Sequence, residues 1–217
     1  LKAGWRAKVN GVIGQFPGTK ALDELVGSLG IESNDHVVIV YGGINSTDFG
    51  SAARIYWTLK TIGHENVSIL NGGFKEWEKE NYKVVSGEHK LNPTKFKSKL
   101  NKKYFATFSE VKKAEKEKNG LCLIDARPNA FFIGEKKKEQ ARTAGRIKNA
   151  VNLEQQNMTG DNGKIKSAVD IKKMFTALKV EKYKGYISYC NTGHGAATVW
   201  FALSEQAQIP NVKLYDG

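Results

Sequence analysis

The stretch with the clearest chemical potential is Tyr189-Cys190-Asn191-Thr192-Gly193-His194-Gly195-Ala196. A β-favouring run, Tyr186-Ile187-Ser188-Tyr189, precedes it, and Cys190 stands where that run ends. Gly193 and Gly195 permit a tight turn. From Ala196 onward the apolar residues Ala196, Val199, Trp200, Leu203 and Ala207 fall at helical spacing. The sequence therefore predicts a thiol at a strand end, a five-residue loop, and a helix beginning at Ala196. A helix start leaves backbone N–H groups without intrahelical partners, and the peptide dipoles add partial positive charge there. A glycine-bearing loop turns further amides inward. A cysteine at such a mouth is expected to be a nucleophilic thiolate, with the amides of 191–196 holding the anion that it attacks or becomes. His194, with an imidazole that titrates near neutrality, is expected as a charge-bearing substrate contact or as a turn-stabilising or solvent-facing residue.

The other cysteine reads differently. Cys122 lies mid-strand in Leu121-Cys122-Leu123-Ile124-Asp125, where a small buried hydrophobe is the plain expectation. With one cysteine in each setting there is no disulfide framework, and no spacing of ligands suggests a metal or cofactor. The net charge of +12 over 217 residues comes with scattered lysines and few arginines. Without aromatic residues interleaved among the basic ones, a lysine-rich surface is favoured over a nucleic-acid site, with some benefit to anionic substrates. Hydrophobic residues make up 40% of the chain, enough for a core, and no run approaches a membrane span. A soluble protein of cytoplasm or periplasm is expected, with oligomeric state open.

The elements that must position Cys190 occur twice. Val37-Val38-Ile39-Val40-Tyr41-Gly42 aligns with Tyr186 to Cys190, Ala52-Ala53-Arg54-Ile55-Tyr56-Trp57 with Ala196 to Phe201, and Asn66 to Gly72 with Asn211 to Gly217. Buried strands alternating with helices predict α/β units built on parallel sheets. Gly42 takes the place of Cys190 in the first copy, so that copy supplies no nucleophile. Between the copies, Ser86 to about Lys103 is polar and lysine-rich and reads as a linker. Domain two then opens at Phe105, with a helix N-capped by Ser109.

Tyr-Cys-Asn-Thr-Gly-His-Gly-Ala-Ala, with the strand Asn211 to Gly217 after it, resembles the active-site loop of the rhodanese family of sulfurtransferases. Leu123-Ile124-Asp125-Ala126-Arg127 is similar to that family's first strand with its Asp-x-Arg, and Gly145 to Asn152 to its Gly-His-Ile-Pro-Gly-Ala-x-Asn segment. The resemblance implies an α/β fold of two rhodanese-like domains, each a parallel sheet flanked by helices. It implies an inactive first domain at 1–87, incomplete at its N-terminal side, a linker at 88–103, and a catalytic domain at 104–217 cut at its C-terminal side. It also implies sulfur transfer from thiosulfate or 3-mercaptopyruvate to a thiol or cyanide through a Cys190 persulfide. Asn191, Thr192, Gly193, His194, Gly195 and Ala196 would bind substrate, and Asp125 with Arg127 would support the loop. Phe131 stands where the family's substrate-binding arginine would align, which leaves Arg142, Lys137 or Lys138 for the anion. The pair Asn191-Thr192 matches neither the basic residues of thiosulfate-preferring members nor the Gly-Ser of mercaptopyruvate-preferring ones. A persulfide carrier or binding module serving a protein partner is the alternative. A cysteine phosphatase is disfavoured because Ala196 occupies the position where such enzymes need an arginine.

Overall fold

The computed structural model describes residues 4–88, 91–117, 120–139 and 141–216. A hairpin opens the chain, β1 (Ala7–Val9) and β2 (Val12–Gln15), followed by α1 (Thr19–Ser28), β3 (Val37–Ile39), α2 (Ser46–Thr61), β4 (Val67–Ile69) and α3 (Gly73–Lys79). The second part runs α4 (Phe108–Lys116), β5 (Leu121–Asp125), α5 (Asn129–Phe132), β6 (Val151–Asn152), α6 (Ala168–Ala177), β7 (Gly185–Tyr189), α7 (His194–Phe201) and β8 (Val212–Tyr215).

In the second part, β6, β5, β7 and β8 lie side by side in that order and are all parallel. β7 is buried along its whole length, as a strand flanked on both edges and covered on both faces must be. Its register pairs Asp125 with Tyr189 and Tyr189 with Tyr215, so the carboxyl ends of three neighbouring strands finish level. In open α/β sheets this is the side where ligands bind. In the first part β3 and β4 pair in parallel, and the antiparallel hairpin β1–β2 stands apart from them. Val38, Val40, Phe74, Trp77, Val84 and Val85 line an exposed apolar groove of about 320 Å³ beside β3.

The helices carry local start signals. Asn45 caps α2 by accepting from the amides of Thr47 at 3.0 Å and Asp48 at 3.1 Å. α4 begins one residue before the expected Ser109, because Thr107 and Glu110 close a reciprocal capping box, Glu110 N to Thr107 Oγ1 at 3.2 Å and Thr107 N to Glu110 Oε2 at 2.8 Å.

α2 and α7, equivalent helices of the sequence repeat, pack directly against one another. Small residues let them approach: a Cβ on Gly50 would meet Thr198 Oγ1 at 2.9 Å and the His194 carbonyl at 3.3 Å. Phe49 and Tyr56 meet Phe201 edge-on at centroid distances of 5.5 and 5.0 Å, and Tyr56 donates to Glu205 at 2.7 Å. One apolar core spans this seam. The segment after α3 follows α1 and α2 through main-chain bonds: Thr94 N to Gly27 O, Lys99 N to Ile62 O and Asn101 N to Thr61 O, at 2.7–2.8 Å. Among the described residues no helix is long and apolar enough to cross a membrane.

Candidate active site

Cys190 directly follows β7 and is half-buried, and its Sγ accepts a hydrogen bond from Gly193 N at 3.1 Å. Gly193 has φ +84°, a left-handed conformation that brings its amide back over the sulfur. α7 begins at His194, two positions before the Ala196 start that apolar spacing suggested. An N–H aimed at sulfur from a helix entrance complements negative charge on that atom.

On one side the sulfur opens on a cavity of about 610 Å³. Lys112, Arg127, Arg146 and Lys148 contribute cations to its lining, against the single carboxylate of Glu115, and Tyr189, Tyr215 and Phe108 supply aromatic surface. Arg127 is held from behind: its Nε donates to Asp125 Oδ1 at 2.9 Å, and its Nη2 to Asp125 Oδ2 at 2.6 Å and to the Gly145 carbonyl at 2.8 Å. The bond to Asp125 outweighs burial and raises the Arg127 pKa above its ordinary value. Tyr189 donates to Asp125 Oδ2 at 2.9 Å, and burial, with the carboxylate beside it, pushes its phenol up. Asp125 and Arg127 thus form a pair at the carboxyl end of β5, and Arg127 also lines the cavity.

The other side of the loop is packed. A Cβ on Gly14 of β2 would meet the Thr192 carbonyl at 2.7 Å, and Arg6 reaches the same carbonyl at 3.5 Å. A Cβ on Gly193 would overlap Nη1 of Arg54 from α2. Gly195 lies against Gln155, and Ala196 is fully buried, its carbonyl accepting from Ser188 Oγ at 3.0 Å. Thr192 is exposed and Asn191 half-buried. At His194 burial first, then the charges of Arg6 and Arg54, lower the pKa to about 4, so it is neutral near pH 7 and the charge-bearing alternative does not hold there. Arg142 is exposed and is not among the residues lining the cavity; the cations that do line it are those named above. Cys122 is buried, and desolvation pushes its thiol up to about 12.

Sequence reading passed over Tyr189, Arg146, Lys148, Arg54 and Asp216. Arg54 carried a signal: a charge flanked by Ala53 and Trp57, on a helix face whose other members, among them Trp57, Thr58 and Thr61, carry none. Asp216, which directly follows β8 and binds Arg54 at 3.0 Å, carried none beyond its place after a strand. Among the described residues no group of three or more His, Cys, Asp or Glu side chains is arranged to hold a metal ion.

A parallel α/β sheet with a cysteine at a strand end, its sulfur under a helix-entrance amide and facing a cationic cavity, defines a class of thiol-dependent transfer sites on small anions. The sequence profile of the rhodanese-like domain matches residues 13–80 and 107–217. The thiosulfate sulfurtransferase of Bos taurus is 35% identical over 206 residues, 93% of this chain and 67% of that protein. The 3-mercaptopyruvate sulfurtransferase of Homo sapiens is 29% identical over 205 residues, with the same coverages. The crystal structure of SseA from Escherichia coli, a 3-mercaptopyruvate sulfurtransferase with the rhodanese fold, superposes with a TM-score of 0.81 at 30% identity. That match covers 93% of this chain and 73% of SseA. The chain belongs to the rhodanese family and is a sulfurtransferase of the rhodanese type, acting between a sulfur donor and a sulfur acceptor.

Proposed function

We propose that Cys190 is the nucleophile of a two-step transfer of one sulfur atom from a small anionic donor, the sulfane sulfur of thiosulfate or the thiol sulfur of 3-mercaptopyruvate, to a thiol or cyanide. With thiosulfate, the Cys190 thiolate attacks the outer sulfur, the S–S bond of the donor breaks, and sulfite leaves with the bonding pair. The chain retains a persulfide, Cys–S–S⁻, cradled by the amides of 191–196. Cyanide or a thiolate then attacks the terminal sulfur, forms thiocyanate or a new persulfide, and restores the Cys190 thiolate. Splitting one displacement into two is covalent catalysis and yields ping-pong kinetics.

The observation that carries this reading is the Gly193 amide at 3.1 Å from a sulfur that faces a cation-lined cavity. Arg127, Arg146 and Lys148 attract the donor's negative groups, and Asp125 fixes the direction of Arg127. Residues 104–217 then form the catalytic unit, 1–87 the unit without a nucleophile, and 88–103 the connection. The alternative is a persulfide carrier that hands its sulfur to a protein partner, a role the same Cys190 loop would serve.

The test is thiocyanate formation from thiosulfate and cyanide, with 3-mercaptopyruvate run in parallel, for the wild type and Cys190→Ser. Parallel double-reciprocal lines and complete loss in Cys190→Ser are expected. Turnover that survives the substitution would refute the nucleophile. Stable persulfide with no turnover on cyanide or small thiols selects the carrier.

A further inference from the structure

Arg54 is the largest charged side chain with no exposure, and only part of its hydrogen-bonding capacity is used. Nη2 donates to Asp216 at 3.0 Å, while Nε and Nη1 are buried without a hydrogen-bond partner. The guanidinium is clamped by the Trp57 ring at 4.6 Å, and Asp216 is itself fixed by the Phe16 amide at 2.5 Å. Three separated segments, α2, the exit of β2 and the end of β8, thus converge beneath one glycine of the Cys190 loop. Nη1 lies where a Cβ on Gly193 would be. A buried ion pair is weak evidence for stability, since well-packed apolar residues often serve as well, and unused donors make this one dearer still. Their location suggests what they are for: they lie behind the amide that bonds Sγ, where negative charge persists through both displacements.

We infer that Arg54, supplied by the unit without a cysteine, is a positioning residue for sulfur transfer, holding Gly193 so that its amide stays on Cys190 Sγ and setting unspent N–H groups behind the anionic sulfur. The first unit thereby becomes part of the site it lacks. This rests on the sulfurtransferase reading for its turnover arm only.

The experiment compares Arg54→Met, which preserves bulk, and Arg54→Lys, which preserves charge without the planar fork. Each is followed by circular dichroism, by kcat and KM for thiosulfate, and by the pH profile of Cys190 alkylation with iodoacetamide. Lys112, Glu115, Arg127, Arg146, Lys148 and Tyr215 also face the sulfur's cavity and are untouched by either change. Expected for Arg54→Met is a folded protein whose kcat falls about 10- to 100-fold with KM little changed. Its alkylation midpoint moves to higher pH, and Arg54→Lys lies between it and the wild type. A wild-type alkylation profile and kcat in both variants overturn the inference, as do losses in both that merely track the fraction unfolded. Should Arg54→Met not fold, Arg54→Lys decides alone: a wild-type profile overturns the inference and an intermediate one sustains it. Alkylation reads the thiolate whatever the donor, so a shifted profile in a protein inert toward thiosulfate would sustain Arg54 and sink the donor assignment.

Discussion

Replacing Asp125 with Asn removes one negative charge and little volume, and its effect follows from the four groups that point at this fully buried carboxylate. Oδ1 accepts from Arg127 N at 3.0 Å and Arg127 Nε at 2.9 Å, and Oδ2 from Arg127 Nη2 at 2.6 Å and Tyr189 Oη at 2.9 Å. The amide must place an NH₂ at one of these positions. At Oδ2 it faces Nη2, and at Oδ1 it faces N and Nε, so either orientation opposes donor to donor. The Arg127 side chain, 13% exposed, also keeps a charge whose partner has gone. Removing one member of a buried pair costs about 3–5 kcal/mol. At about 2–4 °C per kcal/mol for a chain of this size, the melting temperature should fall by about 6–20 °C. Scanning calorimetry at pH 7.5 measures it. The double variant Asp125→Leu/Arg127→Met, which removes both charges, should recover most of the loss. A single variant melting within about 2 °C of the wild type, or a double variant no better than the single, would refute the claim that this pair stabilises the fold.

Three further outcomes are expected. Iodoacetamide at pH 8 should label the native chain once, at Cys190, because a Cys122 thiol pushed up to about 12 leaves about one part in 10⁴ as thiolate; peptide mapping that finds comparable label on Cys122 contradicts this. The fold should lose stability as pH falls from about 6.5 to about 4, since the folded His194 imidazole takes a proton only near 4 whereas the unfolded one already binds it near 6.5. The full loss has an upper bound of about 3 kcal/mol, and urea melts at pH 7.5 and 4.5 should show a shallower pH dependence for His194→Gln; an identical slope would discard the assignment. Gly50→Val should destabilise by about 1–3 kcal/mol through contact with Thr198 and the His194 carbonyl, and slow Cys190 alkylation by displacing the start of α7; a variant as stable and as reactive as the wild type shows that the seam does not govern the loop.

Strand–loop–helix geometry at Cys190 was legible because each part has a local cause: a buried strand, a glycine at φ +84°, an apolar helix face. The helix start was read late, at Ala196, because periodicity registers buried positions and the first turn, His194-Gly195, adds none. The same blindness affected α4, where Ser109 and Thr107 both satisfy the capping preference and only the return bond from Glu110 selects Thr107. The Asn10-Gly11 hairpin signal was present, with both residues at positive φ, but its use as a brace on Thr192 depends on tertiary packing. Polarity could not show that the stretch around Thr94 to Asn101 runs along α1 and α2, for its ties are main-chain amides that no side chain announces. His194 shows the limit most clearly, since its neutrality near pH 7 comes from burial and from Arg6 and Arg54 in the other copy. A repeat alignment sets Arg54 opposite Thr198 and counts a mismatch. In space the two helices meet, and Arg54, one of several positions at which the copies differ, is one from which the first copy reaches the second copy's loop. At a seam between packed repeats, a charged residue buried on the helix of the copy without a nucleophile is therefore one to test for contact with the copy that has one.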